Sequence, residues 1–407
     1  MTQKTEKSGS AGRIPELDGL RVLMIFIVSW YHIWQQSWLT PSIRLSGIGV
    51  NWSLDFLVRS GYIWVDGTVL LSAFLLYLPL ARKGRAIVPD VKAFYFRKAK
   101  RLLPAFWFIV LLFFFGMCLP WGLYNQTNGG APFAVKDLFT HLTLIFPYFR
   151  DTYIYTPMGA APWTLSLVAQ GYLLFPLLAK AMKKHPWITL GVLACCAWGF
   201  RAWCLWAMKD YSMVVNTFAN FLDVYAAGFA AALIFVKLEA LVQKYQSTKA
   251  LVLRQAAATV VFIGCLVGIC ELLKVQCRYT DHPALQAHQQ IFRPLFALGF
   301  TGLILSAPHA VKPLRKLLGN KVTFILSAVS MNYYLIHQTL AVHLKRMGIP
   351  VSVSSTTNMD GELSWQIPYT AMAFGLSLLL AFAITYLVEK PAGKFIDRRI
   401  SDKNKLG

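Results

Sequence analysis

The stretch Leu17-Asp18-Gly19-Leu20-Arg21-Val22-Leu23-Met24-Ile25-Phe26-Ile27-Val28-Ser29-Trp30-Tyr31-His32 decides the fold class. Between Arg21 and His32 every side chain is apolar or weakly polar. Eleven helical steps make just over three turns, rise about 16 Å and return to nearly the same face. The stretch reads as a membrane-spanning helix with a cation near one end and an imidazole about three turns deeper. Both side chains are expected to aim into one site, because ionisable groups inside a span are costly and mark functional positions.

Outward from that stretch the chain stays apolar. Of its 407 residues 56% are hydrophobic and only 14% charged, against roughly a quarter charged in a soluble domain; the mean hydropathy is +0.50. A span takes about 20 apolar residues. Ten stretches qualify, near 18–40, 56–80, 102–121, 163–182, 186–207, 215–236, 250–273, 289–308, 322–343 and 366–388. The expected fold is all-α, a polytopic integral membrane bundle of about ten helices. The expected organisation is a disordered cytoplasmic tail over 1–13, a transmembrane domain over 14–391 and a basic cytoplasmic tail over 392–407.

A net charge of +22 could suggest nucleic acid, but its distribution points to the lipid bilayer as partner. Most Lys and Arg residues fall on the side of the N-terminus, in the tails and in the loops after even-numbered spans. This is the positive-inside pattern, and it makes both termini cytoplasmic. The first apolar run is too long for a cleaved signal peptide. The seven cysteines show no metal-ligand spacing, so no metal site is expected.

Four places could carry chemistry. Arg21 and His32 come first: the cation suits an anionic group, and a neutral imidazole could take a proton from a hydroxyl. Phe94-Tyr95-Phe96-Arg97-Lys98-Ala99-Lys100-Arg101-Leu102-Leu103-Pro104 reads as an inner loop with four cations in five residues. It is either a topology determinant against anionic lipid or a phosphate clamp. His337 lies in the ninth apolar stretch, where a structural role competes with a functional one. Glu389-Lys390-Pro391 closes the last stretch, with Pro391 expected to stop the helix.

Taken in order, these motifs resemble the acyltransferase-3 family of integral membrane acyltransferases. Leu17-Asp18-Gly19-Leu20-Arg21 with His32 is similar to its opening Arg-x10-His motif. Val65-Asp66 through Ser72-Ala73-Phe74 resembles its second-span segment, and Lys98-Ala99-Lys100-Arg101 its basic Arg-x-x-Arg motif. Trp163-Thr164-Leu165-Ser166, continuing to Gln170, resembles its Trp-Ser-Leu-Ser stretch. Tyr334-Leu335-Ile336-His337 and Glu389-Lys390-Pro391 look like its last two signatures.

The resemblance implies transfer of an acyl group, often acetyl, from cytoplasmic acyl-CoA to a hydroxyl of a carbohydrate or lipid-linked acceptor. It implies a plasma or inner cell membrane location, acyl-CoA as a co-substrate with no permanently bound cofactor, and a homo-oligomer as one open assembly state. By the same match His32 is the catalytic base or relay, supported by Arg21 and Glu389. Arg21, Arg97, Lys98 and Arg101 would hold the donor, and Asp66, Ser166, Gln170 and His337 are candidate substrate-binding residues. Two departures stand out. Val168 occupies the place where the family commonly has Glu, and Ala73 stands for Gly. A transporter or flippase, and a catalytically impaired variant lacking the fourth-span Glu, are the competing readings.

Overall fold

The structure is a computed structural model that describes residues 12–45, 50–125 and 129–406. Nearly all of the expected 1–13 tail therefore lies outside the described residues. The chain is an all-α bundle in which α1 (Pro15–Ser37) is followed by an antiparallel hairpin of β1 (Ser42–Leu45) and β2 (Val50–Ser53), then by α2 (Asp55–Arg59), α3 (Trp64–Arg82) and α4 (Val91–Phe113). Next come α5 (Gly130–Leu142), α6 (Arg150–Ile154), α7 (Trp163–Lys184), α8 (Pro186–Ala207), α9 (Leu222–Lys244), α10 (Thr248–Gln276) and α11 (His282–Ser306). The chain ends with α12 (Lys312–Leu318), α13 (Lys321–Arg346), α14 (Leu363–Ile384) and α15 (Lys390–Leu406).

Among the described residues nine helices are long and apolar enough to cross a membrane. The chain is a multi-pass membrane protein. The one expected span not among them, the ninth stretch, is α13, which has 26 residues but falls short in hydropathy. Its Ser327, Ser330, Asn332, His337, Thr339 and His343 side chains are buried, so the polarity faces protein and not lipid. By contrast α10 is the most apolar of the nine and the least buried, as a helix at the lipid boundary should be.

Local sequence sets the ends. Asp90 caps α4 by accepting from the Ala93 amide, Asp281 caps α11 by accepting from Ala284, and Asn320 forms a capping box with Thr323 on α13. Because Asp90 starts α4 early, the basic stretch expected as a loop is helical. The expected stop at Pro391 is also corrected. The chain passes through a π turn, Thr385–Glu389, straight into α15. A proline ring clashes with the carbonyl four residues back, here Leu387, which lies inside that wider turn. The same device precedes Pro120, where the π turn is Phe114–Cys118.

α1 packs against α3, α13 and α14, and α3 against α9 and α11. An added Cβ at Gly228 of α9 would lie 2.7 Å from the Ala73 Cβ and from the Leu70 carbonyl oxygen. Gly228 thus makes the room that Ala73 fills, which accounts for alanine at that place in α3. The pairs Glu16–Arg315 (2.8 Å), Arg82–Glu239 (2.7 Å) and Lys100–Asp397 join the start of α1, the end of α3 and the first half of α4 to α12, α9 and α15. These contacts gather the basic segments at one end of the bundle.

Candidate functional site

Two cavities approach each other between α1, α3, α7 and α13. The first, of about 260 Å³, has Arg21, Lys98, Arg101 and Glu389 as its charged lining, with Tyr172, Ser327 and Tyr334 among its other polar groups. Arg13, Asp18, Arg21 and Arg101 line an adjoining opening at the basic end. Ser327 Oγ donates to Asp18 Oδ1 (3.0 Å) and accepts from Arg21 Nη1 (3.4 Å), tying α1 to α13 at that mouth. The Lys98 ammonium sits 4.7 Å from the Tyr172 ring centroid, a cation–π contact that holds it over the cavity. Lys98 and Arg101 are one turn apart on α4, so both can line this space. Arg97 is exposed and is not part of the lining.

Glu389 enters the same cavity from the π turn. Asn332 Nδ2 donates to Glu389 Oε2 (2.7 Å) and to Thr385 Oγ1 (2.8 Å). Asn332 is fully buried, so the carboxylate is fixed from behind. Val168 lines this cavity too. The arrangement offers three cations and one carboxylate around an apolar-walled space. That set can bind phosphates at the mouth and admit a neutral chain further in.

His32 lines the second cavity, of about 600 Å³, together with Gln35, Asp66, Tyr31, Tyr62 and Gln338. Arg21 and His32 are therefore on one helix but in different cavities, against the expectation of a single shared site. The wall between them is thin. Tyr334 lines the first cavity and its hydroxyl donates to the Ala161 carbonyl (3.1 Å), while Ala161 lines the second. The His32 and His337 ring centroids are 5.2 Å apart. His337 Nδ1 faces the Tyr334 carbonyl at 2.7 Å. A carbonyl only accepts, so Nδ1 holds the ring proton and Nε2 is a bare lone pair. That atom is buried without a hydrogen-bond partner. An unsatisfied buried polar atom costs on the order of 1–3 kcal/mol.

Asp66 reaches the second cavity from α3 but also faces Arg293, whose Nε donates to Asp66 Oδ2 at 3.0 Å. Arg293 Nη1 donates to Val215 O (3.0 Å) and Asn220 Oδ1 (2.6 Å), and Arg201 pairs with Asp223 (2.5 Å) while donating to Asn220 Oδ1 (2.8 Å). This buried network fixes the segment 215–220, part of which lines the second cavity. Ser166 and Gln170 stand apart from both cavities. Gln170 accepts from the Tyr148 hydroxyl (2.6 Å) and donates to Ser166 O (3.0 Å), and both residues line a small gap beside Trp163 and Asn216.

In the segment between α4 and α7, Asp137 of α5 gathers several described residues. Its Oδ2 accepts from Tyr124 (2.9 Å) and Thr156 (2.7 Å), and the His141 ring lies 3.1 Å from its Oδ1. Residues 153, 154, 160 and 161 of that segment line the second cavity. Next to Ser212, which lines that cavity, Asp210 has its pKa held down to about 2 by hydrogen bonds from Ser212 and then Arg150. From the sequence alone Gln35, Gln338 and Asn332 had no role, and Tyr334 entered only as part of a motif. The available signal was spacing: Gln35 is three residues after His32, and Gln338 directly follows His337.

The profile of one family, an acyltransferase domain of the acyltransferase-3 type, matches residues 14–386. No curated protein and no solved structure matches the chain.

Proposed function

Because the chain belongs to the acyltransferase-3 family and is a membrane acyltransferase, we propose that it moves an acyl group from cytoplasmic acyl-CoA to a hydroxyl of a carbohydrate or lipid-linked acceptor. Acetyl is the proposed acyl group and a plasma or inner cell membrane the proposed location. The observation that carries this reading is the convergence of Arg21, Lys98 and Arg101 on one cavity opening at the basic end of the bundle. Phosphates of the donor would pair with these cations, and its thioester arm would run along the apolar wall toward Tyr334.

The acceptor would enter the second cavity, whose amides and aromatic rings suit a neutral polyhydroxylated molecule. His32 takes the hydroxyl proton as the acceptor oxygen bonds to the acyl carbon. The carbon–sulfur bond then breaks, and the leaving thiolate collects the proton from His32. Glu389, held by Asn332, balances charge in the donor cavity. Since the two cavities are divided at Tyr334 and Ala161, the acyl carbon must cross that wall.

His32→Ala tests the assignment: acyl-CoA turnover should fall by about 10²–10⁴, the usual contribution of a general base, with the fold retained by size-exclusion chromatography. Turnover at the parental rate in a folded His32→Ala protein would remove His32 from the chemistry.

A further inference from the structure

The contacts around His32 Nδ1 contain a conflict that hydrogen-bond chemistry can resolve. Two amides reach this one nitrogen: Gln35 Oε1 at 3.0 Å and Gln338 Nε2 at 3.2 Å. A ring nitrogen has either a proton or a lone pair, never both. It can therefore donate to Gln35 or accept from Gln338, and the two contacts cannot both be hydrogen bonds in one protonation state.

The orientation of Gln338 is fixed by its other partner. Gln338 Oε1 accepts from the Ala161 backbone amide at 2.6 Å. A backbone N–H only donates, so the oxygen of this side chain must face Ala161 and the nitrogen must face His32. Gln35 is not fixed in that way. Its other partner is the Tyr31 hydroxyl at 2.9 Å, which can donate or accept, so this amide turns over without losing a bond.

We propose that Gln338 and Gln35 are positioning residues that set which nitrogen of His32 carries the proton. In the resting site Gln338 donates to a bare Nδ1, which leaves the proton on Nε2. In the working site the Gln338 amide swings off Nδ1, the Nε2 proton passes to water in the open cavity while Nδ1 takes one from it, and the Gln35 oxygen accepts that Nδ1–H, which frees the Nε2 lone pair to take the acceptor's proton. The imidazolium that follows keeps both protons, with Nδ1–H still on Gln35, until Nε2–H is passed to the departing thiolate. The inference rests on His32 acting as base, but the tautomer assignment can be read without any activity. A wrong tautomer costs a serine protease up to about 10⁴ in rate when its orienting carboxylate becomes an amide, so the effect is large enough to matter.

The test uses the full-length protein in lipid with ¹⁵N-labelled histidine, the His32 signals being identified by their loss in His32→Gln. In the parent, His32 Nδ1 should resonate as an unprotonated nitrogen. Gln338→Glu keeps an oxygen for the Ala161 amide but turns the second atom from donor to acceptor, so Nδ1 should become protonated. In acyl-transfer kinetics, Gln35→Met should lower kcat by roughly 10- to 100-fold, part of a general base's usual contribution, with the KM for acetyl-CoA unchanged. The double variant Gln35→Met/Gln338→Glu should recover most of that loss, because the carboxylate introduced by Gln338→Glu supplies the acceptor that Gln35 provided; a purely structural role predicts no rescue. An unaltered ¹⁵N pattern in Gln338→Glu, a protonated Nδ1 in the parent, or failure of the double variant to recover kcat would each overturn the proposal. An active His32→Ala protein would instead overturn the assignment of His32 as base, leaving the resting tautomer to stand on the spectrum alone.

Discussion

Asp66 gives the sharpest perturbation, because the structure assigns it two competing duties. It lines the cavity that holds His32, and it is the carboxylate facing Arg293. Asp66 and Arg293 are 1% and 0% exposed. Asp66→Ala would leave the guanidinium buried with its carbonyl and amide acceptors but no counter-charge. Removing one partner of such a pair costs about 3–5 kcal/mol, which lowers the folding equilibrium constant by roughly 10²–10³·⁵ at 1.4 kcal/mol per decade. Asp66→Asn keeps an oxygen for Arg293 Nε and should lose less. The double variant Asp66→Leu/Arg293→Met removes both charges and should regain most of the stability, since well-packed apolar replacements of buried pairs are often neutral. Unfolding equilibria in mixed micelles for the four proteins of the Asp66→Leu/Arg293→Met cycle give the coupling energy directly. If Asp66→Ala is as stable as the parent and raises only the acceptor KM, Asp66 is a substrate group and the structural account fails.

Three further outcomes follow from the donor cavity. Lys98→Gln and Arg101→Gln should each raise the acyl-CoA KM by roughly 10- to 100-fold, at about 1.5–3 kcal/mol for a hydrogen bond to a charged group; steady-state kinetics in which acceptor KM rises equally would refute the donor assignment. Asn332→Leu should lower turnover about tenfold, since it strips the Glu389 and Thr385 oxygens of a donor worth on the order of 1–1.5 kcal/mol. Asn332→Asp should do worse by setting a second carboxylate against Glu389, and parental turnover in it would show that Glu389 needs no such hold. Val168→Glu should fold and change acyl-CoA turnover by less than about tenfold, or 1.4 kcal/mol in barrier; turnover found only in that variant would show that the parent chain is catalytically impaired.

The sequence revealed the bundle because apolar length is a strong signal: a run of about 20 apolar residues has few alternatives in water or lipid. It singled out Arg21, Lys98, Arg101 and Glu389 because each sits in a short charged motif beside a span, but it set Glu389 with His32, and the structure places it with the three cations instead. It failed where three-dimensional direction mattered. Arg21 and His32 share a face of α1 by periodicity, yet Tyr334 of α13 and Ala161, just before α7, press a wall between them. Ser166 and Gln170 share their motif with Val168, but they face the gap beside Trp163 and Asn216 while Val168 faces the donor cavity. Pro391 was misread because the rule that proline ends a helix assumes an α turn before it, and this chain has a π turn there.

The shortfall in hydropathy of α13 is itself informative about where the site lies. Ser327 and Tyr334 of this helix line the donor cavity, and Gln338 lines the other. Asn332 reaches Glu389, and His337 stands against His32. One helix thus supplies groups to both cavities and to the wall between them, so it cannot also be apolar all round. In lipid each of those polar groups would be costly, and only partners within the protein make them tolerable. Among helices long enough to span, the one that fails the apolar criterion is therefore the one to search first for the site. Its partners on α1 (Asp18, Arg21, Ser29 and His32) then identify the helix that faces it.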